Sequence, residues 1–146
     1  LLRDSDEPLA RRIARASVQR RREEPVTTTR DLAELVASVK PRERRPGLHP
    51  ATLTFQALRM AVNRELEGLP AFVEDAARLL APGGRIAVIS FHRGEDGAIK
   101  HALRSLAADG VVSLLTRKPV RPGAREVSMN PRSRSARLRA AERIAA

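Results

Sequence analysis

A run of almost entirely apolar residues at 86–91 most constrains what this chain can fold into. The run lacks the polar alternation of a half-solvated strand, which favours a strand covered by helices on both faces of its sheet. Polar and ionisable side chains end and follow the run: Ser90, His92, Glu95 and Asp96. Because ligands of open α/β sheets bind beyond the carboxyl ends of the strands, we predict the catalytic site at these four residues.

The size and composition limit the class of protein. A chain of 146 residues is typical of one domain with a helical appendage. The absence of cysteine excludes disulfides and thiolate metal sites, and suits a cytoplasmic protein. No apolar stretch reaches the ~20 residues needed to cross a bilayer, and no signal peptide is recognisable at the start, so we expect no membrane association.

The charge balance points to an anionic partner. The net charge is +11, and 25 of the 28 basic residues are arginines. The arginine guanidinium binds phosphate well, which favours nucleic acid, although genomic codon bias can also enrich Ala and Arg. Only three phenylalanines and no Trp or Tyr are present, which argues against a single-strand-binding module that stacks bases on aromatic side chains.

The first part of the chain shows helical patterns. Residues 4–22 predict an arginine-rich helix whose charged face is either solvated or binds phosphate. Thr28 and Asp31 have capping-box spacing before an amphipathic helix that ends near Lys40. The proline- and arginine-rich residues 41–50 predict a boundary between a helical piece and the main body.

An α/β pattern follows. A helix capped by Thr52 or Thr54 is expected to point four apolar residues inward: Phe55, Leu58, Val62 and Leu66. A helix at 71–80, the strand at 86–91, a helix ending at 109–110 and a strand at 111–115 predict a right-handed βαβ unit in a parallel sheet. The alternation at 136–140 predicts a short last strand.

Several kinds of site are excluded by the sequence. Neither GxGxxG nor GxxxxGK[ST] occurs, and Gly83-Gly84 precedes a strand, which indicates a turn and not a cofactor loop. His49, His92 and His101 have no metal-ligand spacing, so no metal site is expected. Ser90 and His92 do not predict a hydrolase, because no glycine elbow presents the serine.

A set of motifs resembles one family. LHPATLTFQALR at 48–59, VN at 62–63, LAPGGR at 80–85, SFH at 90–92, ED at 95–96 and NPRS at 130–133 occur in order. Together they resemble the S-adenosylmethionine-dependent methyltransferases that modify N4 of a cytidine in bacterial 16S ribosomal RNA. Leu53 stands where the family usually has arginine, and Arg93-Gly94 where it has serine-leucine.

The resemblance implies a fold and a cofactor. It implies an α/β chain that is the C-terminal part of a class I, Rossmann-like methyltransferase sheet. Residues 1–48 would belong to a helical insertion domain, and residues 49–146 to the C-terminal half of the methyltransferase domain. The glycine-rich loop and the other contacts to S-adenosylmethionine would precede this chain, so we predict no cofactor-binding residue here and no activity of the chain alone.

Roles for individual residues complete the expectation. Ser90, His92, Glu95 and Asp96 would surround the cytosine amino group, although Glu95 and Asp96 also suit the start of a helix. The predicted RNA contacts are Arg59, Asn63, Lys118, Asn130, Arg132, Arg134, Arg137 and Arg139, with Arg121 and Arg125 beside them. Ribosomal RNA or the small subunit is the expected partner, and a homodimer is kept open. The alternative is a non-enzymatic arginine-rich module that binds RNA or the ribosome.

Overall fold

The computed structural model describes residue 2, residues 7–40 and residues 49–144. The elements follow in the order α1 (Ala10–Glu23), α2 (Thr29–Val39), α3 (Thr52–Val62), α4 (Leu69–Leu79), β1 (Arg85–Ser90), α5 (Arg93–Ala108), β2 (Val112–Leu114), α6 (Ala124–Met129), a 3₁₀ helix (Pro131–Ser135) and β3 (Arg137–Arg143). Two compact units divide the chain, Leu1–Asn63 and Arg64–Ala146. Within the described ranges, no helix is long and apolar enough to span a membrane.

The first unit packs three helices around a small apolar cluster. Ile13, Val36 and Ala51 are buried at its centre. The capping box predicted for α2 is confirmed: Asp31 N donates to Thr28 Oγ1 at 3.1 Å, and Thr28 N donates to Asp31 Oδ2 at 2.9 Å. The predicted boundary at 41–50 falls mostly on residues 41–48, which lie outside the described part of the chain.

The inward face predicted for α3 is confirmed only in part, because Phe55 packs against the buried cluster of this unit. Thr54, Ala57 and Met60 are the buried residues of this helix, whereas Val62 is 79% exposed. Ala51 is the N-cap and no side chain caps the helix, so neither predicted threonine has that role. Apolar spacing alone missed Thr54, because the burial of this polar residue depends on a hydrogen bond to Glu7.

That hydrogen bond belongs to a buried ion pair. Lys40 Nζ donates to Glu7 Oε2 at 3.0 Å and to the Pro50 carbonyl at 2.8 Å, and Thr54 Oγ1 donates to Glu7 Oε2 at 3.1 Å. The side chains of Glu7 and Lys40 are 0% and 4% exposed. The cluster therefore joins the segment before α1, the end of α2 and the start of α3.

The second unit contains a three-stranded sheet in the order β1-β3-β2. The predicted last strand is confirmed and extends over Arg137–Arg143. The prediction of a parallel sheet is wrong, because β3 lies between β1 and β2 and is antiparallel to both. The two strands still run in the same direction, since each is antiparallel to the same third strand.

Helices α4 and α5 cover one face of this sheet. Their buried residues meet Ile86 and Val88 of β1 in a single core whose buried members are Val73, Ala77, Ile99, Ala102, Leu103, Leu106, Val112 and Ala141. On the other face of β1, Ala87 is exposed and Ile89 is 56% exposed. In the described residues, helices therefore cover only one of the two faces that were expected to be covered. Strand β1 lies at the edge of the described sheet.

A substitution of Lys40 tests the buried cluster of the first unit. We expect Lys40→Met to lower the free energy of unfolding by about 3 kcal/mol, because it leaves the Glu7 carboxylate buried without its cation. Arg20→Met is the control, since the Arg20–Glu24 pair on α1 is exposed and pairs of this kind contribute below about 1 kcal/mol. Urea unfolding followed by circular dichroism measures both, and equal losses would contradict the structural role of Lys40.

Candidate functional site

The four predicted catalytic residues lie together where β1 ends and α5 begins. We call Ser90, His92, Glu95 and Asp96 the polar tip. Ser90 is the last residue of β1 and is 2% exposed, His92 is the N-cap of α5, and the two acids lie in the first turn of that helix. Acids at this position are stabilised by the helix dipole, so part of their role is structural. The helix begins at Arg93.

Both nitrogens of the His92 ring lie close to Glu95, but only one of them is hydrogen-bonded among the described residues. Its Nδ1 accepts a hydrogen bond from Glu95 N at 3.2 Å, which caps α5. A neutral ring that accepts at Nδ1 carries its proton on Nε2, an assignment that follows from the hydrogen-bond network. Nε2 lies 3.0 Å from Glu95 Oε1 but without hydrogen-bond alignment. The lone pair that a general base would need is therefore occupied by the helix cap.

Glu95 is the most accessible ionisable side chain of the polar tip. Its side chain is 30% exposed, compared with 14% for His92 and 15% for Asp96. Glu95 Oε2 accepts a hydrogen bond from Phe91 N at 2.9 Å. This contact fixes the carboxylate at the end of the strand while part of it remains open to a ligand.

Asp96 forms a bidentate ion pair with Arg139 of β3. Arg139 Nε donates to Oδ1 at 2.6 Å and Nη2 donates to Oδ2 at 3.1 Å. Burial raises the pKa of Asp96, but the hydrogen bonds and charge of Arg139, with the charges of Arg137 and Lys100, outweigh it and lower the pKa overall. The pair attaches the first turn of α5 to the central strand of the sheet.

Ser90 is buried beside Arg137. Its Oγ donates to the Arg137 carbonyl at 3.4 Å, a weak hydrogen bond across the β1–β3 pair. Arg137 Nη1 is buried and has no hydrogen-bond partner in the described residues. Ser90 is thus held within the sheet, and no geometry of a serine nucleophile is present.

The predicted RNA contacts fall into groups with different exposure. Lys118, Asn130, Arg132 and Arg134 are exposed in the segment between β2 and β3. Arg137 is half-buried, and Arg139 is only 6% exposed and bound to Asp96, so Arg139 contributes first to structure. Arg59 in α3 and Asn63, its C-cap, are exposed residues of the first unit. Contact with RNA stays a prediction for all of them.

The sequence could not identify the partner of Asp96. Arg139 is 43 positions away, and the pairing depends on the register that sets Arg139 opposite Val88. A second missed feature is the N-cap role of His92, for which the residue type gives little signal because Ser, Thr, Asp and Asn are the preferred caps.

The residues that the structure describes do not fit a cradle for S-adenosylmethionine. Gly83, with φ +78°, and Gly84 form the turn that enters β1 at its amino end. A Cβ on Gly84 would come within 2.8 Å of the Ala81 carbonyl, so this glycine serves the turn. At the carboxyl end of β1, His92 and Glu95 fill the strand-to-helix junction, and a glycine-rich loop is absent there.

Histidine and acidic side chains do not gather into a metal site. In the ranges that the structure describes, no group of three or more such residues is close enough to hold an ion. His92 is occupied with Glu95, and His49 Nδ1 accepts a hydrogen bond from Ala51 N at 3.2 Å. The structure offers no observation in favour of a metal.

Substitutions of His92 separate capping from chemistry. His92→Ala is expected to lower the free energy of unfolding by about 1 kcal/mol, because the Glu95 N–H loses its acceptor. His92→Asn is expected to recover most of this loss, since asparagine is a preferred N-cap. Thermal unfolding of the three proteins provides the measurement. Equal destabilisation by both variants would show that the imidazole contributes through packing instead.

The pH dependence of stability tests the Asp96–Arg139 pair. The lowered pKa of Asp96 means that its contribution is present above the ordinary value of 3.8 and is lost as the pH falls through the folded-state pKa below that. We therefore expect Asp96→Asn to be destabilising near neutral pH and progressively less so in acid. Asp75→Asn, at an exposed position of α4, is the control. A difference that does not change with pH would contradict the assignment.

The comparisons with known proteins identify relatives across nearly the whole chain. The MraW methylase family matches residues 1–144. A Synechococcus elongatus protein named "Ribosomal RNA small subunit methyltransferase H" is 54% identical over 140 residues, which cover 95% of this chain and 45% of the relative. Proteins of the same name from Thermomicrobium roseum and Rhodospirillum centenum are 50% and 48% identical, over 47% and 48% of their lengths.

The chain spans a little under half the length of the curated relatives it matches. The family match covers both units of the structure, from the arginine-rich α1 to the end of β3. It confirms the resemblance that the ordered motifs indicated. This chain belongs to the MraW methylase family.

Proposed function

We propose that this chain is the later part of an S-adenosylmethionine-dependent methyltransferase that modifies N4 of a cytidine in small-subunit ribosomal RNA. The observation that carries the proposal is the 54% identity, over 95% of the chain, to a protein named as a small-subunit ribosomal RNA methyltransferase. The motifs at 48–59, 90–96 and 130–133 resemble those of the family, and this resemblance supports cytidine N4 as the atom that is methylated. The site of action would be the cytoplasm, where ribosomal RNA is modified.

The sheet supports a Rossmann-like origin for the second unit. Strands β1 and β2 run in the same direction, and the helix α5 connects them along the chain. The free edge of β1 and the exposed side chains of Ala87 and Ile89 suit further strands and a second layer of helices. We propose that polypeptide outside these 146 residues supplies them and also holds the methyl donor, since the residues here do not fit it.

The polar tip would receive the target base. An exocyclic amine that gains a methyl group must lose a proton, and the base must be oriented outside its stack. Glu95 is the best placed group to accept a hydrogen bond from the amino nitrogen, because its carboxylate is anchored by Phe91 N and is the most exposed of the set. His92 would contact the base beside it, while Ser90 and Asp96 position the strand end and the helix.

The arginine-rich segment between β2 and β3 would bind the RNA backbone. Lys118, Asn130, Arg132 and Arg134 are exposed there, and guanidinium groups form paired hydrogen bonds with phosphate. Arg137 and Arg139 would support this surface from β3, and Arg59 and Asn63 of the first unit would contact the same RNA. A homodimer remains compatible with these roles.

A chimaera tests the proposed reaction. The 146 residues would replace the matching segment of the Synechococcus elongatus relative, so that the relative supplies the remainder of the enzyme. We expect N4-methylation of a cytidine when the chimaera is mixed with radiolabelled S-adenosylmethionine and unmodified small subunits, and no incorporation by the 146 residues alone. A folded chimaera that binds RNA without methylating it would favour the non-enzymatic arginine-rich module, and methylation by the chain alone would refute the missing donor site.

Two substitutions in the chimaera separate chemistry from binding. Glu95→Gln is expected to lower kcat at least tenfold with little change in RNA affinity, because the neutral amide cannot accept the proton that the methylated amine loses. Arg132→Ala is expected to weaken RNA binding and flatten its salt dependence at nearly unchanged kcat. Glu34→Gln, at an exposed position of α2, is the control. Equal losses of kcat and affinity in both variants would contradict this division.

A further inference from the structure

The arginine-rich helix α1 is anchored at its beginning and free along its second half. Ala10 and Ile13 are buried, whereas every residue from Val18 to Glu23 is exposed. A helix segment that is exposed on all sides gains little from packing and is usually stabilised by charge pairs or by a partner. The second half of α1 is therefore an exposed surface in the described part of the chain.

Three arginines form a stripe on the side of α1 opposite the core. At about 100° per residue, Arg11, Arg15 and Arg22 lie within about 40° of one another and about 180° from the buried Ile13. The stripe is about 16 Å long at 1.5 Å per residue. We call these three residues the arginine stripe. Between them on the same side lies Val18, which is 39% exposed, and no acid interrupts the stripe.

The charges of the stripe are not neutralised by the described residues. The ion pair found on α1 joins Arg20 to Glu24 at 2.5 Å and lies on another side of the helix. Arg11, Arg15 and Arg22 have no ion pair in the ranges 7–40 and 49–144. Arg11 and Arg15 are spaced i, i+4, an arrangement in which like charges destabilise a helix. An anionic ligand would remove this repulsion, whereas water and salt only screen it.

We propose that the arginine stripe binds the phosphate backbone of RNA, as a second contact surface separate from the polar tip and from the segment between β2 and β3. The inference rests on the proposed function, which supplies RNA as the partner. Guanidinium groups match phosphate oxygens in paired hydrogen bonds, and a helix holds three of them in a fixed row, which lowers the entropy lost on binding. The contact would be independent of base sequence.

A matched pair of triple variants tests the stripe. Arg11→Gln, Arg15→Gln and Arg22→Gln remove three charges while keeping good helix formers. The control removes three exposed arginines of the second unit, Arg78→Gln, Arg85→Gln and Arg104→Gln, and so has the same net charge. Binding of the 146-residue chain to a mixed-sequence single-stranded oligoribonucleotide is measured between 50 and 300 mM salt, with circular dichroism as the check on helix content.

The stripe variant is expected to lose affinity by about 10- to 100-fold at 0.1 M salt, with a salt slope smaller by about 2, the value for three single-strand phosphate contacts. The control is expected to change the slope by less than about 1. Equal changes in both triple variants would overturn the proposal in favour of general charge attraction, and unchanged binding by the stripe variant would overturn it outright.

Two further measurements separate this inference from its alternatives. Polyglutamate that binds the chain as tightly as the RNA, and that loses binding in the stripe variant, would point to an acidic protein partner and overturn the RNA assignment. The binding assay needs no methyl transfer. If the chimaera does not methylate RNA but the stripe variant still loses affinity, the proposed reaction is rejected and RNA binding by the stripe is kept. If the chimaera methylates RNA and the stripe variant binds normally, only the stripe proposal is rejected.

Discussion

The ion pair between Asp96 and Arg139 is the contact on which the geometry of the second unit depends. It joins the first turn of α5 to β3, the strand that lies between β1 and β2. Arg139 faces the helices beside Val88, in the middle of the β1–β3 pairing. Because both side chains are largely buried, removing either partner would leave the other charge buried and unpaired, at a large cost in stability. The start of α5, and with it the polar tip, is thereby fixed to the centre of the sheet.

This constraint divides the ionisable residues by role. Asp96 is committed to Arg139 and the lone pair of His92 to the helix cap, which leaves Glu95 as the group with an accessible carboxylate. The arginines divide in the same way. Arg139 is buried and structural, whereas the arginine stripe of α1 and the segment between β2 and β3 remain exposed. Burial thus distinguishes structural arginines from candidate RNA-binding arginines, which look alike in the sequence. Only an exposed guanidinium group can bind phosphate without losing an existing partner.

The sheet itself shows a mismatch between composition and burial. The apolar run at 86–91 has the composition of a strand covered on both faces, yet Ile89 and Phe91 are each more than half exposed. Edge strands with exposed apolar residues invite pairing or association. The relatives are about twice as long as the matched segment, and the open face is consistent with the proposal that further polypeptide completes the fold.

The sequence by itself determined the local elements and the family. Periodicity located α1 to α5 and the three strands but not α6 or the 3₁₀ helix. Thr28 and Asp31 marked the start of α2, and the ordered motifs indicated the relatives later found. Only the tertiary structure decided that β3 separates β1 from β2, that Thr54 and not Val62 is buried in α3, and that Asp96 pairs with Arg139. The reason is physical. Caps and amphipathic faces depend on residues a few positions apart, whereas strand order, register and buried ion pairs depend on which distant segments exclude water together.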